Sequence, residues 1–176
     1  MDDALSFKDL GLVRHTYLEK LWELTRTWSL AKVIVGQRRA GKSTILKQLV
    51  DRLLTEKKAT RRQILYINFE LPKWQYVTQA SQLLAIIQAF LKPLKPDTPV
   101  YVILDEVQEV QGGERVVSGY LAEARRCNLF ITGSNSKLLS SELATYLTGR
   151  YVEIEIHPLS YSEYLALLKQ PKGKSS

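Results

Sequence analysis

The segment GQRRAGKS at residues 36–43 constrains this chain more than any other part of its sequence. A brief strand predicted to be buried, residues 32–35, precedes it, and residues 45–54 after it carry apolar side chains at helical spacing. Glycines in such a loop let the backbone bend so that successive N–H groups point at one anion. The start of the following helix adds positive partial charge at the same place. The segment therefore predicts a strand, a phosphate-binding loop and a helix in succession.

The residue types inside the loop predict which phosphates and which metal it binds. The segment matches the pattern G-x-x-x-x-G-K-[ST], in which the lysine reaches the β- and γ-phosphates of a nucleotide and the hydroxyl ligates magnesium. Lys42 and Ser43 fill these two positions. We expect the side chains of Arg38 and Arg39 to face solvent or a partner. The residues expected to surround the nucleotide are Gly36, Gln37, Arg38, Arg39, Ala40, Gly41, Lys42, Ser43 and Thr44.

A second motif places two carboxylates at the end of a buried strand. Residues 100–104 are apolar at five consecutive positions, which is typical of a strand covered on both faces, and Asp105 and Glu106 follow. Ligands bind at the carboxyl edge of an open α/β sheet. Asp105 is therefore predicted to hold the magnesium shell, and Glu106 to orient and activate the attacking water. The alternative is an acidic turn of the kind that ends many strands.

A polar cluster follows another strand that is predicted to be buried, residues 129–132. Asn135 is the first hypothesis for a sensor of the γ-phosphate or of the attacking water, and Ser134 is the alternative. Plain helix capping by Ser134 or Ser136 also explains the cluster.

Arg150 stands immediately before an alternating segment, residues 151–156. An arginine there could reach the γ-phosphate of its own or of a neighbouring subunit's site, as arginine fingers do. An ordinary surface arginine is the other interpretation.

The order of apolar runs and helical patterns predicts the fold class. Short apolar runs alternate with segments of helical period, which is typical of a parallel sheet covered by helices. Residues 151–156 alternate apolar and acidic side chains, which indicates an edge strand with one wet face. We predict helices at residues 15–28, 78–91 and 161–168, and strands at 32–35, 64–69, 100–104, 129–132 and 151–156.

Composition excludes several classes of protein. The single cysteine, Cys127, excludes an internal disulfide, and with only two histidines besides it the sequence does not indicate a zinc site. No apolar run approaches the roughly 20 residues of a membrane helix, and the acidic start lacks a secretory layout. We therefore expect a cytoplasmic protein without a membrane partner. The net charge of +7 is spread over small clusters, which favours a solvated basic surface over a nucleic-acid site.

Several linked motifs resemble the bacterial and archaeal AAA-type ATP-binding proteins. The segments are GQRRAGKST, YINFE, VYVILDEVQEV, FITGSNSKLLSSELATYLTGRY and HPLSYSEYL. The resemblance implies an α/β fold of the P-loop NTPase type, a three-layer sandwich with helices on both faces of a mostly parallel five-stranded sheet of order 5-1-4-3-2. It implies ATP and Mg²⁺ as ligands. The positions that match the family's functional residues are Lys42, Ser43, Asp105, Glu106, Ser134 or Asn135, and Arg150.

The resemblance also bears on domain organisation. We expect one ATPase domain over residues 1–170, with residues 1–30 as a helical lead-in and residues 171–176 as a disordered tail. In the family the core usually continues into further domains of uncertain function, whereas this chain ends soon after Pro158. We therefore expect a truncated or minimal member that lacks the family's C-terminal domain. Self-association and a DNA or protein partner, through the basic surface or that domain, stay open.

Three functions compete at this point. The first is Mg-dependent ATP hydrolysis. The second is an ATP-gated switch or DNA-associated scaffold with little turnover, and the third is a small-molecule kinase. A kinase has less need of Glu106, since its acceptor is not water, and no arginine-rich lid is evident. The absence of an N-K-x-D guanine-reading motif favours ATP over GTP.

Replacing Lys42 with alanine tests the phosphate loop. We expect Lys42→Ala to abolish nucleotide binding or to weaken it severely, because the charge that meets the β- and γ-phosphates is lost. Equilibrium binding of Mg-ATP measures the effect. An unchanged affinity would contradict the assignment of residues 36–43.

Overall fold

The computed structural model describes residues 7, 10–28, 30–95, 97–123, 126–133, 147 and 149–169, with the backbone alone for residues 120–123. Five strands and five α-helices lie within these ranges. In chain order the elements are α1 (His15–Leu24), β1 (Ala31–Val35), α2 (Lys42–Thr55), β2 (Ile64–Asn68), α3 (Ala80–Leu91), β3 (Val100–Asp105), α4 (Gly113–Glu123), β4 (Cys127–Thr132), β5 (Tyr151–Glu155) and α5 (Tyr161–Lys169). Within the described ranges, every helix is too short or too polar to cross a membrane.

The strands form one sheet in the order β2-β3-β4-β1-β5, and the described neighbouring pairs are parallel. The predicted order 5-1-4-3-2 is confirmed, with β4 inserted between the strand before the phosphate loop and the strand that ends at Asp105. β5 lies at the edge, in register with β1 from Ala31–Tyr151 to Val35–Glu155. Its Glu153 and Glu155 are exposed while Ile154 is buried, as the alternating pattern predicts.

The two faces of the sheet build two separate apolar clusters. On β3, Val100, Val102 and Leu104 belong to the cluster that includes Leu83 and Ile87 of α3. The intervening Tyr101 and Ile103 belong to the other cluster, which is built on α1 and α2. Every residue of β3 is buried, which agrees with the prediction that its uninterrupted apolar run is covered on both faces. The result is a three-layer α/β sandwich.

Some element boundaries differ from the predictions for local reasons. α1 ends at Leu24 rather than at residue 28, and the Thr25 and Thr27 hydroxyls there donate to the Trp22 and Leu24 carbonyl oxygens. α3 begins at Ala80 rather than at residue 78. The Gln82 side-chain oxygen accepts from the backbone N–H groups at 78 and 79, which satisfies donors that the start of a helix leaves unpaired.

Helix α4 was not predicted. Two glycines, Gly112 and Gly113, stand at its start, and its apolar side chains include a pair at adjacent positions, Val116 and Val117, which obscures the helical period. Both valines are buried against the α3 side of the sheet.

The buried character of β3 gives a test of the fold. Ile103 is fully buried, so we expect Ile103→Ala to lower the free energy of unfolding by about 2–5 kcal/mol through the lost contacts and the cavity left behind. Urea denaturation followed by circular dichroism measures this change. The control is Leu165→Ala on α5, where 38% of the residue is exposed and we expect a loss of about 0.5 kcal/mol or less. Equal losses in the two variants would contradict the placement of β3.

Candidate functional site

The loop between β1 and α2 has a backbone that requires glycine at two positions. Gly36 has φ 149°, and a Cβ there would lie 2.3 Å from the carbonyl oxygen of Ile156. Gly41 has φ 96° and is the N-cap residue of α2. Between them, Ala40 donates its N–H to the Gln37 carbonyl at 3.1 Å and closes a tight turn. The glycines of the sequence motif therefore stand where the backbone leaves no room for another residue type or bends into a conformation that other residues rarely adopt.

The amine of Lys42 is buried inside this loop, with 4% of the side chain exposed. Its Nζ donates to the carbonyl oxygens of Gly36 at 3.1 Å and Gln37 at 3.3 Å. The same Nζ lies 3.5 Å from Oε1 of Glu106, which forms a buried ion pair. The structure thus brings together the two predicted residues that would act on the terminal phosphate and on water.

The carboxylate of Asp105 is fully buried and hydrogen bonded on both oxygens. Oδ1 accepts from the Thr132 hydroxyl at 2.6 Å, and Oδ2 accepts from the Tyr66 hydroxyl at 2.9 Å and the Asn68 amide at 2.8 Å. Burial raises the pKa of Asp105, whereas hydrogen bonds from Thr132, Ser43 and Tyr66 act in the opposite direction. Ser43 and Asp105, the two predicted magnesium ligands, are therefore neighbours.

The donor set at this point suits magnesium. A hydroxyl from Ser43 and a carboxylate from Asp105 are the hard oxygen ligands that Mg²⁺ prefers in proteins, together with waters and substrate phosphates. They lie at the first turn of α2 and at the carboxyl end of β3, next to the loop.

Glu106 has a backbone conformation that is rare for its residue type. Its φ of 60° and ψ of 50° lie in the left-handed region, which costs an L-residue other than glycine about 1–2 kcal/mol. Its backbone N–H donates to the Thr132 hydroxyl at 2.9 Å, and its Oε2 accepts from the Gln108 amide at 2.6 Å. The carboxylate is thus aimed by the backbone and fixed by hydrogen bonds, and strain of this kind clusters at functional sites.

Other predicted residues lie at the rim of the loop or away from it. Arg38 and Arg39 are exposed, and Arg38 pairs with Glu70 at 3.2 Å. Thr44 is half-buried in the first turn of α2. The sensor candidates Ser134 and Asn135 lie outside the described residues, so the choice between them stays a prediction.

Arg150 lies at the amino ends of the strands, whereas the phosphate loop of the same chain lies at their carboxyl ends. Its carbonyl oxygen accepts from the N–H of Ala31, the first residue of β1, whereas the loop follows Val35 at the other end of that strand. A five-residue strand spans roughly 15 Å. The structure therefore does not bring this exposed arginine to the loop of its own chain.

Four residues of the site were missed from the sequence. The Thr132 hydroxyl joins the Asp105 carboxylate to the Glu106 backbone N–H. Tyr66 and Asn68 donate to Asp105, and Gln108 donates to Glu106. The available signal was positional. Polar residues at the carboxyl ends of β2 and β4 flank the end of β3, so the strand order alone would have nominated Asn68 and Thr132.

Comparison with protein families gives one match over most of the chain. A family model described as an AAA domain matches residues 29–165. An uncharacterized protein of Haemophilus influenzae is 42% identical over 152 residues, which cover 86% of this chain and 37% of that protein. An uncharacterized protein of Methanocaldococcus jannaschii is 36% identical over 141 residues, which cover 76% of this chain and 28% of that protein. The chain thus spans well under half the length of these relatives.

Solved structures resemble the chain in fold. A DNA polymerase III gamma subunit-related protein of Thermotoga maritima superposes with a TM-score of 0.63 at 16% identity, over 89% of this chain and 50% of that one. The closed state of Hsp104 with ATPγS and casein superposes with a TM-score of 0.66 at 12% identity, over 91% of this chain and 29% of that one. At these identities the likeness concerns the fold alone.

The shared hydroxyl of Thr132 gives a test of this site. Thr132→Val keeps the shape of the side chain but removes the donor to Asp105 and the acceptor for the Glu106 N–H. We expect a loss of about 1–3 kcal/mol in the free energy of unfolding, because two buried polar groups lose a partner. The matched control is Thr27→Val, which removes one hydroxyl bonded to the Leu24 carbonyl at 3.1 Å. Urea denaturation measures the free energy of unfolding of both variants. Equal small losses of this free energy would contradict a bridging role for Thr132.

Proposed function

Because this chain belongs to the AAA domain family, we propose that it binds ATP together with magnesium and hydrolyses the ATP. One observation carries the proposal. The Lys42 amine and the Glu106 carboxylate are buried 3.5 Å apart beside the glycine loop, next to the neighbouring pair Ser43 and Asp105. An amine for the phosphates, oxygen ligands for a metal and a carboxylate for water are the parts that phosphoryl transfer to water needs.

Phosphate binding in this proposal uses the loop and Lys42. The start of α2 directs positive partial charge toward the loop, which favours an anion there. The Lys42 Nζ now donates to two loop carbonyls. On phosphate binding it would exchange these carbonyls and Glu106 for phosphate oxygens, which carry more negative charge than a carbonyl.

Water activation in this proposal uses Glu106. Once the Lys42 amine turns to the phosphates, Oε1 of Glu106 becomes available to accept a proton from water, while Gln108 still holds Oε2. Ser43 and Asp105 would hold magnesium, which when bound neutralises charge on the phosphate oxygens.

An ATP-gated switch with little turnover is the second candidate, and a specific observation favours it. Both oxygens of Glu106 have partners, Lys42 on one side and Gln108 on the other. If both partners stay in place after ATP binds, the carboxylate is not available to water. A kinase reaction has no comparable support among the described residues.

Self-association is part of the proposal because of where Arg150 lies. An exposed arginine at the amino edge of its own sheet could act on a γ-phosphate only in a neighbouring subunit. A DNA or protein partner for the basic surface is proposed on the net charge and the family alone. A cytoplasmic location is proposed on the single cysteine and on the short apolar runs of the sequence.

Steady-state ATP hydrolysis with magnesium tests the proposed enzyme. We expect Glu106→Gln to lower kcat roughly 100-fold or more while ATP still binds, because the side chain keeps its shape but no longer accepts the proton. The matched control is Glu109→Gln, the same change at an exposed position of the adjacent turn, which should keep kcat near the wild-type value. Equal turnover in wild type and Glu106→Gln would contradict the role of Glu106, and ATP binding without turnover in either would favour the switch.

The same assay over a range of protein concentrations tests Arg150. Specific activity that rises with concentration, and a loss of that rise in Arg150→Ala, is the result expected of an arginine acting across a subunit interface. Activity independent of both concentration and Arg150 would argue against it.

A further inference from the structure

The guanidinium of Arg14 is buried beside the phosphate loop, with 5% of the side chain exposed. Nη1 donates to the carbonyl oxygens of Ala40 at 3.1 Å and His157 at 2.8 Å. Nη2 donates to Glu163 Oε2 at 3.1 Å and to the Pro158 carbonyl at 3.5 Å, and Nε donates to Glu163 Oε1 at 2.8 Å. All five N–H groups of this arginine therefore have an acceptor.

One of these contacts fixes a peptide unit of the loop. In a planar trans peptide the C=O and the following N–H point in opposite directions. Because Arg14 holds the Ala40 carbonyl, the N–H of Gly41 must point away from Arg14. Gly41 is the N-cap of α2, the position from which a backbone N–H of a phosphate loop meets its anion.

The other contacts tie this peptide to the chain beyond β5. Glu163 lies in the first turn of α5, where it accepts from the Ser160 N–H at 2.8 Å while its own N–H donates to the Ser160 hydroxyl at 3.3 Å. This reciprocal pair is a capping box, so the carboxylate that meets Arg14 is part of the start of the helix. Arg14, followed by the Ser160 backbone, lowers the pKa of Glu163 to about 2, so the pair is ionised at neutral pH.

The beginning of the loop rests on the same segment. The N–H of Ile156 donates to the Val35 carbonyl at 2.8 Å, and Gly36 approaches the Ile156 carbonyl too closely for any side chain. Residues 156–158 thus contact the loop directly at Gly36 and through Arg14 at Ala40. A displacement of residues 156–158 would therefore alter the contacts at both ends of the loop.

We propose that Arg14 is a positioning residue of the phosphate loop, which holds the 40–41 peptide in its anion-binding orientation and makes that orientation depend on the docking of α5. The inference rests on the proposed binding of phosphate at residues 36–43. By linkage, phosphate in the loop strengthens the docking of α5 as much as docking strengthens phosphate binding.

Calorimetric binding of ATP and of inorganic pyrophosphate to the 176-residue chain tests the proposal. Arg14→Met keeps a long side chain but has no donor. We expect it to bind both ligands about tenfold more weakly, because the Gly41 N–H is no longer held in place. Pyrophosphate has neither base nor sugar, so an equal loss for both ligands assigns the effect to the loop. A loss for ATP alone would overturn the proposal.

Gln48→Ala is the matched control for the lead-in segment. The Gln48 amide donates to the Leu10 carbonyl at 2.6 Å and the Leu12 carbonyl at 2.9 Å, so it ties the residues just before Arg14 to α2. We expect pyrophosphate affinity within about twofold of wild type, since neither hydrogen bond contacts the loop. If Gln48→Ala weakened pyrophosphate binding as much as Arg14→Met, general docking of the lead-in would explain both, and the proposal would fall.

Glu163→Gln tests the dependence on α5 and leaves Arg14 in place, so it also serves if Arg14→Met does not fold. We expect about threefold weaker pyrophosphate binding, because a neutral amide oxygen replaces a charged partner. The double variant should bind no more weakly than Arg14→Met alone, because Glu163 acts through Arg14. Additive losses, or unchanged affinity in Glu163→Gln, would contradict the link to α5.

Wild type and Lys42→Ala separate this inference from the proposed function. If wild type binds neither ligand, the proposed function fails and the inference fails with it. If wild type binds both ligands, Lys42→Ala does not, and Arg14→Met binds like wild type, only the role of Arg14 is wrong.

Discussion

The burial of the Asp105 side chain constrains which strands can lie beside β3 at the carboxyl end of the sheet. A carboxylate without solvent is stable only when hydrogen-bond donors surround it, and here the strand donors come from Tyr66 and Asn68 on β2 and Thr132 on β4. Only a sheet in which β3 lies between β2 and β4 brings them together. The Thr132 hydroxyl also accepts from the Glu106 N–H, so one side chain fixes both acids. The strand order that encloses the apolar core therefore also assembles the site.

A second set of contacts fixes the phosphate loop from outside. The loop begins where Gly36 lies against the Ile156 carbonyl, and its other end is held at Ala40 by Arg14. Both supports lie far from the loop in sequence, one before α1 and one after β5. Phosphate loops need backbone N–H groups that converge before the anion arrives, because ordering them on binding would reduce affinity. Residues before α1 and after β5 thus contact the loop at both of its ends.

Features that depend on a short stretch of sequence could be predicted, whereas features that depend on contacts between distant segments could not. The loop at residues 36–43 and the acids Asp105 and Glu106 were identified because a fixed spacing of residue types is enough to specify them. The alternation of strands and helices could also be predicted from the sequence pattern, whereas the order of the strands was implied by the resemblance to a family. Thr132 and Arg14 were not assigned roles, because their hydrogen bonds join segments that are distant in sequence, and nothing in the neighbouring residues indicates these partners. The position of Arg150 could not be predicted for the same reason. Only the parallel pairing of β5 with β1 shows that Arg150 lies at the amino end of the sheet.

The left-handed backbone at Glu106 has an evolutionary consequence. Glycine would occupy that conformation without strain, but it would also remove the carboxylate that pairs with the buried Lys42 amine. Under the proposed hydrolysis, a glutamate at this position combines a strained backbone with a carboxylate held beside the buried amine. The proposed activity and the backbone preference are thus opposed at a single residue, and a relative that binds nucleotide without hydrolysing it would have one reason fewer to keep a glutamate there.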